Sequence, residues 1–280
     1  MPFVETNGTE TYYERRGDGP PVVFVHGSMV DHTHWAPQVE ALADAYTTVV
    51  YDLRGHGRTG PSPVDAYTID LFVEDLDALI TALDLDAPVV CGASMGGAIA
   101  QVYAATYPTR VSGLVLADTF TGTRLDWRER LQWALLRAMV VPVGLVGFER
   151  ANRFNVWANE LVNRGSSGDP ETVDAFTAGG PSITTDEFAK VARAMTGFVD
   201  GDMDFDLAAV TAPALVIYGE NELGLIERHS RALSAAIPDA TRQVVPGGGH
   251  ASNRDTPEFF TAALREFLAE RVHAGAATGS

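Results

Sequence analysis

Three observations predict an α/β chain built on a parallel sheet with helices on both faces. Short runs rich in β-branched residues recur along the 280 residues, as strands buried on both faces require. Amphipathic helical segments fall between those runs. One strand-to-helix junction carries Gly-x-Ser-x-Gly, from Gly92 to Gly96.

Each element follows from local pattern. Phe3 to Thr6 and Thr9 to Arg16 flank Asn7-Gly8, a hairpin-turn pair, and Gly17-Asp18-Gly19-Pro20 ends the hairpin. Pro21 to Val25, Thr47 to Tyr51, Val111 to Leu116 and Ala214 to Tyr218 read as buried strands, as does the run from Val89 into the serine motif. Arg242 to Val245 reads as the last strand. Between Thr68 and Leu83, Phe72, Leu76, Leu79, Ile80 and Leu83 share a stripe opposite Asp70, Glu74, Asp77 and Thr81. Ala98 to Ala104 continues as a helix after the serine, and Pro257 to Val272 forms a second amphipathic helix.

The pattern changes from 120 to 206. No buried strand is visible there, and helical segments carry Trp127, Trp133, Phe148, Phe154, Trp157 and Phe176, with a loop from Gly165 to Pro170. This segment reads as a helical cap inserted between the sixth and seventh strands. The core is then 1–119 with 207–272, and 273–280 is a loose tail. The cap is expected to close over the serine and wall its pocket.

Composition narrows the function. The formal net charge is −17 and the pI about 4.7, and of 20 Lys and Arg residues only Lys190 is a lysine. Such a surface disfavours nucleic acid and anionic membranes. It reads either as a plain solvated acidic face or as adaptation to high salt. Lysine depletion favours the second, since screening quiets self-repulsion. The single cysteine, Cys91, lies in an apolar strand and reads as a small buried hydrophobe. The N-terminus lacks the basic and apolar regions of a signal peptide. The longest apolar run, Ala138 to Phe148, is broken by Pro142 and Gly144, so no membrane span is expected. A cytoplasmic protein is the expectation. With no His-Glu-x-x-His, paired cysteines, phosphate loop or dinucleotide glycine pattern, neither metal nor cofactor is expected. Oligomeric state carries no sequence signal.

The chemistry gathers at three places. Turning from strand to helix within about two residues forces the central serine into a strained backbone conformation. Gly92 and Gly96 leave room where a Cβ would collide, and Ser94 projects at a helix N-terminus that favours negative charge. A serine hydroxyl needs a base, and His250 follows the last strand in Pro246-Gly247-Gly248-Gly249-His250, at the sheet's carboxyl edge. His32, His34, His229 and His273 read instead as surface or capping residues. The acid that would orient the imidazole follows Tyr218: Glu222 is the first choice, Glu220 the second, and Asp118, after the sixth strand, the third. Oxyanion donors are assigned to the backbone N–H groups of Ser28 and Met95, with Met29 as the alternative. His26 reads as a residue bracing its loop. Asp52 to Thr59 reads as a rigid turn beside the site, with Arg54 and Asp52 as a pair.

His26-Gly27, Asp52 to Thr59, Gly92 to Gly97, Tyr218 to Glu222, and Gly249-His250 with Asn253 and Pro257-Glu258 together resemble the α/β-hydrolase family. The likeness is to its capped esterases, lactonases and cofactor-free haloperoxidase-like members, and it covers nearly all the chain outside the cap. It implies an eight-stranded, mostly parallel sheet and a triad of Ser94, Glu222 and His250. Relatives usually carry Asp where this chain has Glu222. The expected function is cleavage of a small ester, lactone or thioester through an acyl-enzyme, with a small acyl compound as partner. Carbon–carbon hydrolysis of a diketone uses the same residues, and a small-molecule receptor uses the same fold. Ser at 94, where dehalogenases and epoxide hydrolases need Asp, disfavours those two activities.

Overall fold

The computed structural model describes residues 2–122, 183–201 and 203–272, together with Trp127 and Leu131. The residues named above as Trp133, Phe148, Phe154, Trp157, Phe176 and His273, the Gly165 to Pro170 loop and the 273–280 tail lie outside the described residues.

The chain opens with a hairpin of β1 (Phe3–Thr6) and β2 (Thr9–Arg16). Asn7 and Gly8 both take positive φ, 44° and 73°, the turn geometry that follows the twist of paired strands. Next come β3 (Pro21–Val25), α1 (Ala36–Leu42), β4 (Thr47–Tyr51), α2 (Ile69–Ala82), β5 (Val89–Ala93), α3 (Met95–Thr106) and β6 (Gly113–Ala117). After 182 the described elements are α4 (Thr185–Asp200), β7 (Ala214–Gly219), α5 (Gly224–Ala236), β8 (Ala240–Val245), α6 (Ser252–Asp255) and α7 (Pro257–Phe267). Thr68 caps α2 by accepting from the Leu71 N–H, and Gly201 ends α4 in the left-handed conformation at φ 84°.

The eight strands lie in the order β1-β2-β4-β3-β5-β6-β7-β8. Only the β1–β2 and β2–β4 pairs are antiparallel; β4 through β8 run parallel. Alternation along each strand feeds two cores. Val23, Val25, Val90, Leu114, Leu116 and Val216 point to the face covered by α2, α3, α4 and α5, whereas Val22, Phe24, Cys91, Val115 and Ile217 point to the face covered by α1 and α7. Cys91 is fully buried. Among the described residues no helix is long and apolar enough to cross a membrane.

Helix α4 is anchored by polar contacts as well as apolar ones. Glu187 is buried and accepts from the Tyr67 hydroxyl and from Lys190 Nζ at 2.8 Å, while the same ammonium reaches the Ser62 carbonyl. The chain's single lysine is therefore a packed, hydrogen-bonded group and not a surface charge.

The Asp52 to Thr59 turn departs from expectation. Arg54 does not pair with Asp52. It forms a buried bidentate contact with Asp75 on α2, at 2.8 and 2.5 Å, and also reaches the Ser62 hydroxyl and the Asn7 carbonyl. Asp52 instead accepts from the backbone N–H and ring of His32 and from the Arg58 N–H, each at 2.8 Å. The planar guanidinium fork needs two carboxylate oxygens in one plane, and those of Asp52 are taken by other donors. His32, His34 and His229 are all buried, contrary to the surface or capping role expected of them. His32 and His34 lie in the short 3₁₀ helix His32–Trp35 and His229 lies within α5, each covered by neighbouring segments that local pattern does not reveal.

Candidate active site

The site forms at the carboxyl ends of β3, β5, β6, β7 and β8. Ser94 follows β5 directly, with φ 52° and ψ −118°, a left-handed strained backbone that an L-residue adopts only when its surroundings impose it. Those surroundings are visible. A Cβ at Gly92 would fall on the Gly96 carbonyl, and one at Gly96 on the carbonyls of Val25 and His26. The Ser94 backbone is held on both sides: its N–H donates to the Ala117 carbonyl at 2.9 Å, and its carbonyl accepts from the Thr119 hydroxyl at 2.6 Å and from the Gly97 N–H at 3.0 Å. The Met95 N–H opens α3, where first-turn amides have no acceptor within the helix.

His250 closes the loop after β8. Its Nε2 lies 3.1 Å from Ser94 Oγ, and its Nδ1 lies 2.7 Å from Glu222 Oε2. A carboxylate accepts, so Nδ1 carries a proton, and when the ring is neutral its Nε2 is the acceptor facing the serine hydroxyl. Burial works against charge on the ring, but Glu222, then Asp118 and Asp255, outweigh it and push the pKa from 6.5 up to about 9. The His250 side chain retains 46% exposure while that of Glu222 retains 1%, so water screens part of this pull. Glu222 spends its other oxygen on the Leu223 N–H at 2.8 Å.

The two other carboxylates weighed as the acid do different work. Glu220 accepts from the Gly247 N–H at 3.0 Å and stands exposed. Asp118 is fully buried, with Oδ1 accepting from the Gly219 N–H at 2.9 Å and Oδ2 from the Ser252 N–H and hydroxyl at 3.0 and 2.7 Å. Neither is the residue bonded to the imidazole. Sequence reading missed Thr119 and Ser252 as partners of this site; an Asp-Thr pair directly after a buried strand was the available signal.

On the opposite side lies the loop after β3. A Cβ on Gly27 would stand 3.2 Å from the Ser94 Cβ, so this loop and the elbow are in contact. His26 is buried, accepting from the Leu53 N–H at Nε2 (3.0 Å) and facing the Gly27 carbonyl with Nδ1 (2.7 Å). Burial holds its pKa below the ordinary value, which keeps the ring neutral with its proton on Nδ1. Met29, two residues beyond, takes φ 68°.

The comparisons with known proteins agree with this architecture. Residues 20–257 match the model of the alpha/beta hydrolase fold. The chain belongs to that family. A thermophilic esterase from Thermogutta terrifontis superposes with a TM-score of 0.80 at 29% identity, over 97% of this chain and 98% of its own. The non-heme chloroperoxidase CPO-A1 of Kitasatospora aureofaciens is 29% identical, over 96% of this chain and 99% of its own. A relative from Caulobacter sp. (strain K31), named for carbamate hydrolysis, is 28% identical over 92% of this chain and 95% of its own. Structural and curated neighbours thus include esterases, lactonases and haloperoxidases. The chain is an α/β hydrolase.

Proposed function

We propose that this hydrolase cleaves a small ester, lactone or thioester through an acyl-enzyme on Ser94. The observation that carries the reading is the unbroken line from Glu222 Oε2 through the His250 ring to Ser94 Oγ, at 2.7 and 3.1 Å. His250 Nε2 takes the serine proton as Oγ attacks the carbonyl carbon, and Glu222 stabilises the imidazolium that forms. The tetrahedral oxyanion is received by the backbone N–H groups of Ser28 and Met95. Such a donor is worth roughly 3–4 kcal/mol by precedent. Collapse expels the alcohol or thiol, protonated by His250. Water, deprotonated in turn by His250, attacks the acyl carbon and frees Ser94.

The segment 120–206 acts as a cap over Ser94 between the core segments 1–119 and 207–272. In support, the described part of that segment, α4 (Thr185–Asp200), is a helix whose Phe188, Val191 and Phe198 are buried against the core. The acidic composition, with one lysine in the whole chain, is read as salt adaptation. A urea midpoint that rises from low to molar salt supports that reading, and one that falls removes it.

The decisive measurement is burst release of p-nitrophenol from a short-chain ester, paired with fluorophosphonate labelling. Both are expected in the native chain and absent in Ser94→Ala. Full turnover by Ser94→Ala refutes the acyl-enzyme; binding without a burst in the native chain indicates a receptor.

A further inference from the structure

Asp118 lies at the end of β6 in a left-handed backbone conformation, φ 45°, that an aspartate adopts at a cost. Its carboxylate is buried and takes three donors from two other segments: the Gly219 N–H at the end of β7, three positions before Glu222, and the N–H and hydroxyl of Ser252, two positions after His250. The next residue, Thr119, donates its hydroxyl to the Ser94 carbonyl. One two-residue corner thus touches the backbone beside all three members of the proposed triad while touching none of their functional atoms.

We infer that Asp118 is a positioning residue, its carboxylate tying the Glu222 loop to the His250 loop, with Thr119 tying both to the Ser94 elbow. The inference rests on the triad reading above and adds a part to it. The corner has an electrostatic side as well. Burial and the nearby Glu222 charge raise Asp118 to about 7, against the pull of His250 and the Ser252 donors. The groups facing His250 are Glu222, Asp118 and Asp255, with neutral His34 beyond. Above about pH 7, where it is ionised, Asp118 adds negative charge to the imidazole's surroundings without bonding to it.

Asp118→Asn keeps the size, removes the charge and turns an N–H donor toward one of the existing donors. On a p-nitrophenyl ester its kcat is expected to fall about ten- to a hundredfold, the scale of a hydrogen bond to a charged group, with KM little changed. The ascending limb of kcat/KM against pH should move to lower pH, because a charge that favours imidazolium is gone. A change confined to overall stability lowers the urea midpoint and leaves that limb in place. Ser252→Ala leaves the carboxylate in place and should cost about three- to tenfold in kcat with the limb unmoved. Native kcat and limb in folded Asp118→Asn, with Ser94→Ala inactive, overturn the positioning role alone; an active Ser94→Ala overturns the triad and this role with it. Should Asp118→Asn fail to fold, Ser252→Ala and Thr119→Val decide, and native kcat in both overturns the inference.

Discussion

The proposed nucleophile and its proposed base–acid partners are held in place by different means. Ser94 sits between β5 and α3 with no intervening loop, and two glycines pressed against carbonyl groups leave its backbone one conformation. His250 and Glu222 ride on loops whose positions depend on distant segments. The Glu220 N–H donates to the Val245 carbonyl, the Asn221 N–H to Gly248, the Gly249 N–H to Asp255, and Asp118 receives both loops. The elbow is a steric device. The two loops are a polar network, and networks fail by losing a partner where steric devices fail by gaining an atom.

That difference orders the expected effects. The largest is Glu222→Gln, which keeps the volume but offers the imidazole an amide. It should lower kcat by about 10⁴, the scale of a disrupted acid–histidine contact, and at neutral pH lower the urea midpoint modestly, because the charge that holds the imidazolium is gone. Glu220→Gln should leave kcat near native, and a result that reverses the two reassigns the acid. Gly92→Ala should act first on stability. Its Cβ meets the Gly96 carbonyl, so urea denaturation should show a loss of about 3 kcal/mol or more, as overpacking against backbone costs. If Gly92→Ala is as stable as the native chain, the steric account of the elbow is wrong.

The smallest expected effect is on pH profiles. As the proposed base His250 would act only when neutral, and its pKa is raised above 6.5. The ascending limb of kcat/KM should therefore sit above 6.5, and in Glu222→Gln residual activity should reach its plateau at lower pH. The same linkage appears in folding. A histidine whose folded pKa exceeds its unfolded value contributes stability that is whole below 6.5 and lost as pH rises through about 9. His250→Gln should flatten that part of the stability curve, while Ser94→Ala leaves it in place.

Much of the architecture was legible because it rests on short-range pattern. β-Branched runs marked the parallel strands, and a 3.6-residue stripe marked α2 closely, with Thr68 as its cap. The elbow was legible for the same reason, since its steric requirement is written within five residues. His250 was legible from its glycine-rich loop after the final strand. The acid was left among Glu222, Glu220 and Asp118 because all three follow strand ends at one sheet edge, and pattern does not say where each carboxylate points. The pairing of Arg54 with Asp75, rather than with nearby Asp52, was hidden likewise. So was the burial of His32, His34 and His229, each decided by which segments pack against its own.

By itself the chain's order of residues determined the parallel sheet and the strained serine between strand and helix, because hydrophobic period and backbone sterics act between neighbours. Tertiary structure alone decided which carboxylate faces the imidazole and that Asp118 joins two loops. Those bonds link residues as far apart as 134 positions, and only closing the sheet brings their donors and acceptors within reach of one another.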